Sequence, residues 1–401
     1  MISRRKLLTS GALLTTLGLY SYHRGLRYPR LSFEHHTLDS ELSTPQLSLA
    51  FENCIALDST TLRAIAPEPL VTIRHAKGNS SFEIMNLASN ATLEVGKDGP
   101  NSQQVVIDQQ VEGTRRQIHI QSRVEQNLTL KWTVPTTDGF EFAVMGDTGG
   151  GTELAWTLKR AHQLGAQFLL HLGDFNYTDG EYDLAIEQFN NSQIPCYVTI
   201  GNHDFHDNGL IYDKFLQQIG PMNHAFELAG TRFINLDTAA DFWPKDSGQR
   251  GKLLQNLAIE APFVGEQVLF THRPLKDPRP HDDHEIGGNG QIDWIAAQSR
   301  SLGVSTVLNG HVHHSAELDF QGLRQLTIGE GLGHENLVRQ KPVAKIMMAR
   351  VEPGKKLEHR WEDLNMPWSE HQSSTHLVKL TRDNRVKQLE WYNALLAPDA
   401  L

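Results

Sequence analysis

The chain carries only two cysteines, Cys54 and Cys196, in 401 residues. No disulfide framework can be read from so few, and two separately buried thiols are expected rather than one bridge, even in an oxidising compartment. Positive charge is also scarce. Against 47 Asp and Glu there are 37 Lys and Arg, leaving a net charge of −10. Binding a phosphate backbone needs a basic stripe, so a nucleic-acid surface is excluded. Long apolar runs are missing as well. The Thr-rich run Gly11 to Leu19 is too short and too mild for a spanning helix, so membrane contact is expected only through an uncleaved N-terminal segment. The 39% apolar content over this length supports one α/β domain plus a smaller one.

What the chain does have is a series of apolar runs that end abruptly in chemistry. Phe142-Ala143-Val144-Met145 runs into Gly146-Asp147-Thr148-Gly149, and Leu169-Leu170-His171-Leu172 into Gly173-Asp174-Phe175-Asn176-Tyr177. Tyr197 to Ile200 leads to Gly201-Asn202-His203-Asp204, Val268 to Thr271 leads to His272, and Thr306 to Asn309 leads to Gly310-His311-Val312-His313. Such runs read as buried parallel strands, and open α/β sheets bind ligands at the carboxyl ends of their strands. A single Gly-Asp after a strand is usually a turn, and a lone His is usually a packed or surface residue. As an ordered set, these five strand ends present hard oxygen and imidazole donors suited to first-row metals, enough for two ions to share.

These blocks resemble the binuclear metallophosphoesterases, also called calcineurin-like phosphoesterases, and within them the purple acid phosphatases. That branch's pattern is GDxG, GDxxY, GNH(D/E), a lone strand-end His, and GHxH, and the chain has GDTG, GDFNY, GNHD, FTH and GHVH in that order, over roughly residues 140 to 335. Most other members open with D-x-H. Here Gly149 stands where that imidazole would be, and Tyr177 compensates. The resemblance implies one metal held by Asp147, Asp174, Tyr177 and His313, and a second held by Asp174, Asn202, His272 and His311, with Asp174 bridging. A phenolate favours a trivalent ion, so a binuclear centre of Fe(III) plus a divalent Fe, Zn or Mn is expected. Two such cations lower the pKa of a bound water and stabilise both oxygens of an in-line displacement, which suits hydrolysis of a phosphomonoester.

For protonating the leaving group, His203 is the first candidate and His281 the second, with His284 as a substrate-side neighbour and Asp204 either orienting His203 or capping a helix. The ligand blocks leave open a phosphodiesterase or nucleotide hydrolase on the same metals, and a catalytically silent exported binding protein on the same scaffold.

Around this core, Ser3-Arg4-Arg5-Lys6-Leu7-Leu8 resembles a twin-arginine export signal, so residues 1–30 are set aside as signal and linker. The export machinery is then a partner, and the periplasm or the extracellular space the destination. Residues 41–137 show short β-rich runs punctuated by turns, as in a small fibronectin-like β-sandwich. Thr136-Thr137-Asp138-Gly139 marks the boundary to an α/β catalytic domain over 138–342, expected as the superfamily's four-layer α/β/β/α sandwich. Residues 343–401 are expected as a C-terminal extension adding strands, and Asp241 to Lys245 with the loop His272 to Gly290 should rim the mouth.

Overall fold

The computed structural model describes residues 40–97, 104–136, 139–178, 180–204, 212–239, 248–260, 262–287, 289–332 and 344–364. The export segment, the rim at Asp241 to Lys245 and the strand candidate His376 to Leu380 lie outside the described residues. Among those described, no helix is long and apolar enough to cross a membrane.

The fold is mixed α/β with four sheets. Residues 41–133 form two of them. One runs β1 (Glu41–Ser43), β2 (Leu47–Glu52), β5 (Leu70–His75), β10 (Gln126–Thr133), β7 (Thr92–Lys97). The other runs β3 (Cys54–Ala56), β4 (Thr61–Ala64), β6 (Gly78–Met85), β9 (Arg115–Ser122), β8 (Val105–Glu112). Neighbouring strands are antiparallel except β4 beside β6. Alternation explains the packing: β2 buries Leu47, Leu49 and Phe51, and β10 buries Leu128, Leu130 and Trp132. Each such burial contributes about 1.5–3 kcal/mol before entropy is charged. Trp132 Nε1 donates to Gln109 Oε1 at 2.9 Å, tying the two sheets together.

The third sheet runs β13 (Cys196–Val198), β12 (Leu169–His171), β11 (Phe140–Met145), β20 (Lys345–Val351), β21 (Glu358–Asp363). Its first three strands are parallel, and β20 and β21 add antiparallel pairs beyond β11. The fourth runs β14 (His224–Leu228), β15 (Thr231–Asn235), β16 (Glu266–Phe270), β17 (Thr306–Asn309), β19 (Leu323–Ile328), β18 (Ser315–Phe320), with a parallel centre. These two sheets meet through aromatic rings: Phe142 stands edge-on to Phe233 at 5.4 Å and stacks on Phe168 at 4.9 Å. Helix α1 (Thr152–Gln163) places Leu154, Leu158 and Ala161 in the same core as β11 and β12. Helices α4 (Gly248–Ile259) and α5 (Asn289–Leu302) pack Leu254, Ile292 and Ile295 against the far face of the fourth sheet. Helix α2 (Glu181–Asn191) follows β12, and α3 (Tyr212–Gln218) precedes β14.

The N-terminal sheets grip β13 through polar groups. Asn86 donates Nδ2–H to Ala64 O at 2.8 Å and to Cys196 O at 3.0 Å, while its Oδ1 accepts the Cys196 N–H at 2.8 Å. Arg63, 1% exposed, donates to Cys196 O and to Asn190 Oδ1. Both cysteines are buried free thiols, and burial pushes the Cys54 thiol far above its ordinary value and the Cys196 thiol up to about 12.

Candidate metal centre

Because β11, β12 and β13 are parallel and so is the centre of the fourth sheet, their C-terminal ends open toward one place. Asp147 follows β11, Asp174 and Tyr177 follow β12, and Asn202 and His203 follow β13 in a short 3₁₀ turn. His272 follows β16, and His311 and His313 follow β17. Asp147, Asp174, His311 and His313 adopt left-handed backbone conformations, with φ of 60°, 58°, 72° and 37°. Such conformations cost on the order of 1–3 kcal/mol each and persist where the surroundings hold them. Glycine makes the approach of backbones feasible: a Cβ on Gly201 would collide with the Asp174 carboxylate, and one on Gly310 with Asp147 Oδ2.

The side chains converge in two groups that share Asp174. Tyr177 Oη stands 3.5 Å from Asp147 Oδ1, 3.3 Å from Asp174 Oδ2 and 3.1 Å from His313 Nε2. His272 Nε2 lies 2.9 Å from Asn202 Oδ1 and 3.4 Å from Asp174 Oδ2. One ligand atom from each of Asp174, His272 and His311 lies within 4.8 Å of the others. Backbone groups fix these donors: His272 donates Nδ1–H to Leu172 O at 2.7 Å, which turns Nε2 inward. The His311 amide donates to Asp147 Oδ2 at 2.8 Å, and the His203 amide to Asp174 Oδ1 at 2.8 Å.

The donor set fits cations. Nε2 of His272 is faced by two oxygens, and Nδ1 of His311 is buried with no hydrogen-bond partner, a costly arrangement for either tautomer of that ring. The titration behaviour has the same cause. Burial opposes charge on His272, but Asp174 and Asp147 beside it prevail and raise its pKa to about 9. Burial likewise opposes ionisation of Asp174, yet His272 holds it well below the usual carboxylate range. Asp147 is pushed up by burial, and His311 is pushed down by burial and by the cationic His272 and Arg273.

Residues 140–315 match the calcineurin-like phosphoesterase family. This stretch belongs to the calcineurin-like metallophosphoesterase superfamily. The superfamily implies a metal-dependent phosphoester hydrolase with a binuclear metal centre. Purple acid phosphatase 22 of Arabidopsis thaliana is 25% identical over 234 residues, covering 51% of this chain and 53% of that protein. The 3′,5′-cyclic adenosine monophosphate phosphodiesterase CpdA of Escherichia coli (strain K12) is 26% identical over 174 residues, covering 42% of this chain and 62% of that protein. The chain thus spans somewhat more than half the length of these relatives. Purple acid phosphatase PPD1 from yellow lupin (Lupinus luteus) seeds superposes with a TM-score of 0.47 at 12% identity, covering 76% of this chain and 71% of that one.

Within this metallophosphoesterase stretch, two expectations meet a different geometry. Asp204 was expected to orient His203 or cap a helix, but its carboxylate accepts the amides of Gly201, Asp174 and Phe175 at 2.7, 3.0 and 2.9 Å. It therefore clamps the Asp174 turn to the Asn202 turn. Of the two loop histidines, both exposed, His281 shows no hydrogen bond or ring contact with the cluster among the described residues. His284 instead brings its ring to 6.2 Å from that of His311, held by Arg279 at 2.9 Å on a loop tied to Asp277. His203 packs its ring 4.5 Å from that of Tyr177.

Two residues escaped the sequence reading. Glu181 accepts the amides of Tyr177 and Thr178 at 2.7 and 3.0 Å and so aims the phenol. Arg273 places Nη1 2.8 Å from His311 Nε2. Its position directly after the strand-end His272 was the available signal.

Proposed function

We propose that this chain is an exported phosphomonoester hydrolase of the purple acid phosphatase type. Asp147, Asp174, Tyr177 and His313 would hold Fe(III), and Asp174, Asn202, His272 and His311 a divalent Fe, Zn or Mn. The observation that carries this reading is the Tyr177 phenol, within 3.5 Å of two carboxylates and an imidazole. Bound there, two cations neutralise a phosphoryl group and acidify water. The chain's own part is positional. Asp174 serves both positions, Asp204 sets the turn that carries it, and His203 stands on the Tyr177 ring to supply a proton to the leaving oxygen. The same reading takes residues 41–137 as a fibronectin-like sandwich and the two later sheets with their helices as the four-layer arrangement. The Ser3 to Leu8 segment supports twin-arginine export to the periplasm or beyond.

The test is a visible spectrum with metal analysis of protein exported in folded form. A tyrosinate–Fe(III) charge-transfer band is expected, lost in Tyr177→Phe while far-UV circular dichroism is kept. A band that survives in that variant overturns the ligand assignment. A phosphodiesterase reading is favoured by the likeness to the E. coli cyclic-nucleotide enzyme. Comparing p-nitrophenyl phosphate with its bis-ester separates the two, with the monoester expected to be turned over faster.

A further inference from the structure

The guanidinium of Arg273 meets the candidate metal ligand His311 at Nε2. Its backbone N–H donates to Thr238 Oγ1 at 2.8 Å, its Nε–H to Ala239 O at 3.3 Å, and its Nη1–H reaches His311 Nε2 at 2.8 Å. The other nitrogen of the same ring, Nδ1, is buried and without a hydrogen-bond partner, so it is the nitrogen left open to a cation, and its side of the ring is called inner. Thr238 is itself fixed by Thr271, the residue that delivers His272, through a hydroxyl contact of 2.6 Å.

A guanidinium can only donate. Its contact with Nε2 therefore requires the lone pair of that nitrogen and leaves the ring hydrogen on Nδ1. A cation binding His311 on the inner side needs the Nδ1 lone pair, which sends the hydrogen to Nε2, where it meets the hydrogens of Arg273. The two arrangements exclude one another. The positive charges of guanidinium and metal on opposite sides of one small ring act in the same direction.

We propose that Arg273 is a phosphate-positioning residue coupled to the second cation. When a metal occupies the inner side of His311, the guanidinium gives up Nε2 and turns its fork to the phosphoryl oxygens at the mouth. The inference rests on the binuclear reading above. A planar, permanently charged fork suits two oxygens of one phosphate, and the short tether from His272 keeps it beside the second position.

The experiment uses the full chain, stripped of metal by chelation, with calorimetric titration of zinc and then of inorganic phosphate into the loaded protein. Arg273→Met should bind the second zinc about tenfold tighter and phosphate at least about tenfold more weakly. Arg273→Lys, which keeps the charge without the fork, should recover only part of the phosphate affinity and serves also if the Met variant does not fold. Zinc and phosphate affinities both within twofold of wild type, or weaker zinc binding in Arg273→Met, overturn the proposal. Wild-type protein that takes up no zinc overturns it together with the binuclear reading. Wild-type protein that binds both probes beside an unaltered variant overturns this inference alone.

Discussion

In the N-terminal sheets the buried side chains are chiefly those of Leu47, Leu49, Phe51, Val71, Ile73 and Trp132, whereas at the ends of β11, β12, β16 and β17 they include Asp147, Asp174, His272 and Asn309. One region is held by apolar area, which is non-directional and tolerant of small shifts. The other buries charge, which is tolerated only when every lone pair and proton has a partner in the right direction. The contrast explains why left-handed backbone at Asp147, Asp174, His311 and His313 gathers at one edge, since aiming donors there takes precedence over relaxed geometry. Where the regions meet, the apolar one lends two polar side chains, Arg63 and Asn86, to complete the backbone of β13.

The largest expected effect comes from Asp174→Asn. Asn tolerates the left-handed backbone and can still accept the His203 amide, so the fold should stand, but the charge shared by both cation positions is gone. Steady-state turnover of p-nitrophenyl phosphate should fall by more than the roughly 10²–10³-fold typical of losing one electrostatic donor, with metal content reduced. Retained metal and turnover within tenfold would break the distinction between the regions. A smaller effect is expected from Asn86→Ala. It leaves the Cys196 N–H without that partner while Cys196 O keeps Arg63, and a buried group left unsatisfied costs about 1–3 kcal/mol. Urea unfolding should show the loss, while kcat of the folded fraction changes little. An unchanged midpoint would mean that the regions are independent.

The smallest effect concerns pH. His75 is fully buried in β5 with neither ring nitrogen partnered, and burial lowers its pKa. The unfolded chain, with an ordinary His pKa near 6.5, therefore takes up a proton before the folded chain does. This contribution is whole above that value and is lost as pH falls below it. Unfolding midpoints at pH 7.5 and pH 5 should differ less in His75→Leu than in wild type, which would place this acid sensitivity in the apolar region and away from the metal ligands.

The candidate site was legible because its donors follow apolar runs directly in sequence, so the strand ends alone point to Asp147, Asp174, Tyr177, Asn202, His272, His311 and His313. Roles set by folding rather than by adjacency were not. Asp204 sits beside His203 in the chain, yet three amides take up its oxygens, and only the approach of the β12 and β13 turns creates that demand. The loop after His272 carries His281 and His284 close together, and the bonds of Arg279 and Asp277 to His284 hold that ring, itself exposed, on the side of His311. Among strands, β1, β3, β7, β14 and β18 were not legible. All five are sheet edges, where solvent on one side allows polar residues and blurs the alternation. β6 escaped for another reason, since its opening Gly78-Asn79-Ser80-Ser81 reads as turn although it pairs on both sides.

The hydrogen bond from the His311 amide to Asp147 Oδ2 joins two loops that belong to different sheets. That single N–H is thus a built-in reporter of whether the pair is closed. Its deuterium uptake should track the parting of the halves of the molecule, and any event that slows its exchange, including loading of the centre, is an event that locks them together.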